Sequence, residues 1–154
     1  MDYFQGTVET YLRADRSLFL NSEYCLQLDH VAVPKKDRHW YVDVVAIDFK
    51  NKIVWLCEIS YAKNLAALLK RLQAWQNNWP DVSNAIIRDS FLPQGFTAKP
   101  WVFIPDELND LFKKKFVGVD GTDAMPEPKI TSLEEVLPWK YTVWAKHDQD
   151  IVVE

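Results

Sequence analysis

Two segments rich in β-branched and aromatic residues, HWYVDVVAID at 39–48 and KIVWLCEIS at 52–60, flank the short stretch Phe49-Lys50-Asn51. Each reads as a strand, and so short a connection between strands makes an antiparallel hairpin. Lys50 and Asn51 suit a two-residue turn, because asparagine tolerates positive φ. That turn sets Asp48 opposite Ile53, Val44 opposite Cys57 and Asp43 opposite Glu58. Directly opposed side chains share one face of the sheet, with Cβ atoms about 4.5–5.5 Å apart. Tyr41, Val45 and Ile47 are expected on the Asp43 face, and Val54 and Leu56 on the Glu58 face. Both acids therefore interrupt apolar rows. A longer hairpin loop would shift the register and separate them.

Two carboxylates facing each other in an apolar row are destabilising, and burial adds to the cost. Three compensations are open. A divalent cation with hard oxygen ligands, magnesium or manganese, would neutralise the pair. A shared proton would raise one pKa. A neighbouring lysine would serve as counter-ion.

The rest of the chain frames this hairpin. Residues Asp2 to Arg16 carry Phe4, Val8, Tyr11 and Leu12 at helical spacing. Glu23 to Pro34 suits a strand, with Pro34-Lys35-Lys36-Asp37 as the turn. A long helix is expected from Asn64 to Trp79, with Leu65, Leu68, Leu69, Leu72 and Trp75 as its apolar stripe and Pro80 as its stop. A shorter helix follows over Asp81–Phe91. Pro100–Ile104 reads as an interior strand. A helix from Asp106 to Lys115 has Asp106 as N-cap, and the three lysines 113–115 complement its dipole. A loop spans Gly118–Pro128, a short strand Lys129–Thr131, and Ser132 with Glu135 has capping-box spacing. Trp139–Trp144 reads as an edge strand. Three consecutive strands form a meander, and the long helix makes the next connection a crossover to a parallel strand. The expected fold is α/β: one domain over residues 1–154, with a mixed sheet, an αβββαβ core and helices on both faces.

The chain has 154 residues, 48% of them apolar and seven of them tryptophan, enough oily surface for one unstapled core. Cys25 and Cys57 are isolated and read as buried thiols of a reducing, cytoplasmic compartment. The first residues have no secretion-signal pattern, and no apolar run is long enough to span a bilayer. The net charge of −4 argues mildly against a general nucleic-acid coat. His30, His39 and His147 are not at ligand spacing. With four glycines, a nucleotide-cradling loop is not expected. Trp75 and Trp79 suit core packing, or stacking on bases.

The motifs Tyr41-Val42-Asp43-Val44-Val45 and Leu56-Cys57-Glu58-Ile59-Ser60, with the order of elements around them, resemble the PD-(D/E)XK, or restriction endonuclease-like, nucleases. The resemblance covers roughly residues 2 to 104 and implies a restriction endonuclease-like mixed sheet. It implies that Asp43 and Glu58 bind magnesium or manganese, and that the metal activates water for hydrolysis of a phosphodiester, DNA by expectation. The family's motif lysine would fall at position 60, where this chain has Ser60. In some members the following helix supplies such a residue, and here Lys63 and Lys70, on one helical face with Asn77, are the candidates. The plainer reading of that face is a solvated side of an amphipathic helix. Glu9 is the candidate for a third metal ligand from the first helix, by the same resemblance, against an ordinary surface acid. The expected function is thus a magnesium-dependent endonuclease or exonuclease. The rival is the same fold without chemistry, a module binding a protein partner, a second copy or nucleic acid.

Overall fold

The computed structural model describes residues 2–29 and 38–138. The expected turn at 34–37, the strand at 139–144, His30 and His147 lie outside the described residues. Helix α1 (Tyr3–Arg13) is followed by strands β1 (Leu18–Gln27), β2 (His39–Asp48) and β3 (Ile53–Ile59), then helices α2 (Ala66–Asn77) and α3 (Trp79–Asp89). Strand β4 (Thr97–Ile104), helix α4 (Asn109–Lys115) and strand β5 (Lys129–Ser132) complete the order. One five-stranded sheet runs β1-β2-β3-β4-β5. The β1–β2 and β2–β3 pairs are antiparallel, and β3–β4 and β4–β5 are parallel. The chain is thus α/β with a mixed sheet, as expected. No helix among the described residues is long and apolar enough to cross a membrane.

Each face of the sheet has its own core. On one, Val54, Leu56 and Val102 pack with Leu68, Leu72 and Trp75 of α2 and Val82 and Ile86 of α3. On the other, Val44, Ala46, Cys57 and Phe103 pack with Val8, Tyr11 and Leu12 of α1. Residues alternating along β3 divide between the two, as a pleated strand covered on both sides requires. Trp75 and Trp79 are both buried, which assigns that pair to the core.

The β2–β3 register is the expected one, with Val44 opposite Cys57 and Asp48 opposite Ile53. The turn is not. A four-residue loop replaces the two-residue turn, and the left-handed residue is Lys52 (φ 56°), not Asn51. Asp48 ties this loop by accepting the Asn51 backbone N–H at 3.0 Å and its side-chain amide at 2.8 Å.

Other expectations are corrected. The first strand begins at Leu18, five residues earlier than its pattern suggested. Pro80 does not stop the long helix. The break falls at Asn78, whose side chain donates back to the Ala74 carbonyl at 2.9 Å. Pro80 then sits in the first turn of α3, where its missing N–H costs nothing. Asp106 is not an N-cap. It opens a 3-10 turn over Asp106–Leu108, and its carboxylate accepts the Ser132 hydroxyl at 2.9 Å. Ser132 is thereby drawn away from the expected capping box, and the turn it precedes, Leu133–Val136, is 3-10.

Candidate active site

Among the described residues the sheet's ladders open at Glu23 and Asp43. Strands β1 and β2 pair at Ser22↔Val44 and again at Tyr24↔Val42, passing over Glu23 and Asp43, and the β2–β3 ladder ends at Val44↔Cys57. Glu23 is left-handed (φ 52°). The pleat reverses at the same point. Val44 packs on the α1 side and Val42 on the α2 side, although residues two apart on a regular strand share a face. In β1, Leu20 and Tyr24 divide the same way. Tyr41, expected to continue the Asp43 row, is instead exposed, and Val42 takes its place against the α2-side core.

Where the ladders open, side chains take over the backbone's hydrogen bonds. The Asp43 N–H donates to Glu58 Oε2 at 3.3 Å, and the Ile59 N–H donates to Asp43 Oδ2 at 3.0 Å. The Asp43 carbonyl accepts from the Gln5 amide of α1 at 3.4 Å. The two acids therefore meet across neighbouring strands. Glu58 continues the row of Val54 and Leu56 and is 0% exposed, while Asp43 is half-buried.

The counter-ion is an arginine that the sequence reading did not single out. Arg71 Nη1 of α2 lies 3.0 Å from Glu58 Oε2 and 3.8 Å from Asp43 Oδ1. Arg71 falls three residues after Leu68 and four before Trp75, on the flank of the buried stripe. That position was the available signal: a long cation beside an apolar helix face can reach over it to an acid row on the sheet. Lys63 lies exposed in the turn before α2 and Lys70 exposed on α2, and neither forms an ion pair with the two acids. Ser60 carries the β3–β4 pairing onward, its N–H donating to the Phe103 carbonyl at 3.0 Å.

Glu9 is not a surface acid: it is 0% exposed. Its carboxylate accepts the Ser22 hydroxyl, the Arg13 guanidinium at 3.2 Å and the Gln5 amide at 3.4 Å. Gln5 thus links Glu9 to the Asp43 backbone. Glu9 is tied to the Asp43 backbone through this amide, but it is not gathered with Asp43 and Glu58 into a three-acid group as expected of a metal ligand.

Burial pushes the Glu58 carboxyl well above its ordinary pKa, the hydrogen bond and negative charge of Asp43 push it further, and Arg71 opposes both. Its second oxygen, Oε1, is buried without a hydrogen-bond partner. Among the described residues no group of three or more His, Cys, Asp or Glu is gathered to hold a metal ion. Two carboxylates nevertheless fit magnesium, which is commonly held by one or two carboxylates with water and substrate phosphate completing the octahedron. The orphaned Oε1 is a hard oxygen with lone pairs to give. Comparison with family models, curated proteins and solved structures finds no match for this chain.

Proposed function

We propose that this chain is a metal-dependent nuclease of the restriction endonuclease-like fold, hydrolysing a phosphodiester of DNA. The observation that carries the reading is the convergence of Asp43 with a fully buried Glu58 whose Oε1 lacks any partner, where the sheet's ladders open. A buried carboxylate oxygen without a partner costs folding free energy, and perturbed buried acids of this kind cluster at functional sites. The order α1-β1-β2-β3-α2, with β4 parallel to β3, supports the fold assignment.

Asp43 and Glu58 would hold the ion. When bound, magnesium or manganese would supply an activated water and a Lewis acid to the phosphodiester. Arg71 stands where the family's lysine function is needed, and its guanidinium would meet the charge that builds on the phosphate. Gln5 holds the Asp43 backbone from α1, which fixes one ligand against the other. A cation would bind the ionised Glu58 carboxylate, whose proton is held more tightly than usual by burial, so metal affinity would rise with pH.

The test is cleavage of labelled DNA with magnesium or manganese by wild type and Asp43→Ala. Cleavage should fall by at least about a hundredfold in the variant, with its circular dichroism spectrum unchanged. Undiminished metal-dependent cleavage by Asp43→Ala would remove the assignment.

One observation favours a second reading, a binding module of the same fold without chemistry. Arg71 already reaches both carboxylates, and an internal cation can replace a metal outright. A thermal titration separates the two. An ion at about 100 times its Kd stabilises by about 2.7 kcal/mol, on the order of 5–10 °C for a chain this long. No shift at millimolar manganese would select the binding module.

A further inference from the structure

Beside the carboxylate pair lies a groove of about 480 Å³, with His39, Trp40 and Tyr41 of β2 on one side and Ala67, Lys70, Arg71 and Ala74 of α2 on the other. Arg71 belongs to both places: it lines the groove and bonds Glu58. The groove therefore begins one guanidinium away from the acids. We propose that this groove is the binding subsite for one unpaired nucleotide of a single-stranded polynucleotide, its base stacked on the Tyr41–His39 rings and its phosphate held by Lys70 and Arg71. The inference rests on the nuclease reading and adds the strandedness of its substrate.

Four observations carry it. Tyr41 is a large aromatic side chain 61% exposed, and the His39 ring stands 5.6 Å from it, tilted by 37°. An exposed aromatic face is offered to something flat, and in a duplex the base faces are already occupied by their neighbours. Second, the cation beside the rings is uncommitted: Lys70 is exposed and forms no ion pair among the described residues. A lysine and an arginine on successive residues of a helix, facing an aromatic wall, complement a phosphate joined to a base. Third, the volume falls in the range of about 300–1,000 Å³ typical of small-molecule pockets, room for a single nucleotide. Fourth, the chain carries a net charge of −4. Long-range attraction to a phosphate backbone is weak under that charge, so recognition leans on stacking and on the two local cations.

The experiment measures binding apart from cleavage. Fluorescein-labelled oligonucleotides of one sequence, as single-stranded DNA, single-stranded RNA and duplex DNA, are titrated by anisotropy in EDTA with wild type, Tyr41→Ala and Lys70→Ala. Wild type should bind a single strand at least about tenfold tighter than the duplex, and each variant should lose roughly tenfold on the single strand. The DNA and RNA arms tell which polynucleotide is preferred. Melting temperatures within a degree or two of wild type show that the variants are folded, and Tyr41→Phe, which keeps the ring, should restore binding. Equal affinity for duplex and single strand, or full affinity in Tyr41→Ala, overturns the subsite. The nuclease reading fails separately. Single-strand binding through Tyr41 with no cleavage in manganese would leave the groove standing and remove the catalysis, whereas indifferent cleavage of duplex would do the reverse.

Discussion

A buried acid beside a half-buried one sets the chemistry of single residues here. Because the folded protein holds the Glu58 proton more tightly than the unfolded chain, the contribution of this group is full below its ordinary pKa. It is lost as pH rises through the raised, folded value. Glu58→Gln removes that ionisation while keeping the shape. The variant should melt above wild type at pH 8 by a few degrees, and the gap should close towards pH 5; a gap constant with pH would contradict the cause given for the shift. Arg71 makes an opposite prediction for metal. Its guanidinium lies 3.0 Å from one acid and 3.8 Å from the other, so in the proposed nuclease it would repel an incoming cation while meeting the phosphate charge. Arg71→Met should bind manganese more tightly by calorimetry, yet lose roughly 10²–10³ in turnover. Tighter binding without loss of turnover would show that the arginine only balances charge.

At the scale of elements, α1 is tied to the sheet by more than its apolar stripe. Glu9 gathers Ser22 of β1, Arg13 of its own helix and Gln5, which reaches Asp43 of β2. Glu9→Ala takes the acceptor from the buried Gln5 amide and the half-buried Ser22 hydroxyl, leaves a cavity at a fully buried position, and should cost roughly 2–4 kcal/mol in urea unfolding, with Glu9→Gln retaining most of it. A change within about 0.5 kcal/mol would be the behaviour of a surface acid. The hairpin, its register and the three-strand meander were legible because alternation over β2 and β3 is strong and a four-residue loop leaves the same residues opposed as a two-residue turn. The role of Glu9 was not legible, since its partners lie on another strand and on the two adjacent turns of its helix. The pleat reversal at Asp43 was hidden too, because a strand pattern assumes regular alternation and nothing in Glu23 announces a left-handed backbone. The resemblance points to a lysine close to the strand end, whereas the cation that reaches both acids is Arg71, a turn and a half into α2.

For the whole molecule, an acidic chain with a small basic groove should bind nucleic acid with a shallow dependence on salt. One neutralised phosphate on a single strand gives a slope of log K against log salt of about −0.7; a slope several times steeper would mean a broad electrostatic footprint instead. The same break in the sheet that presents Asp43 also shapes the outer boundary of the fold. Among the described residues β1 stands at one end of the strand order, the position at which another chain could add a strand. Left-handed, exposed Glu23 cuts it into two short runs, Leu18–Ser22 and Tyr24–Gln27, whose pleats are out of phase. A foreign strand in register with one run is out of phase with the other. A kink that serves the acids thus also discourages the chain from templating fibrils along its own margin.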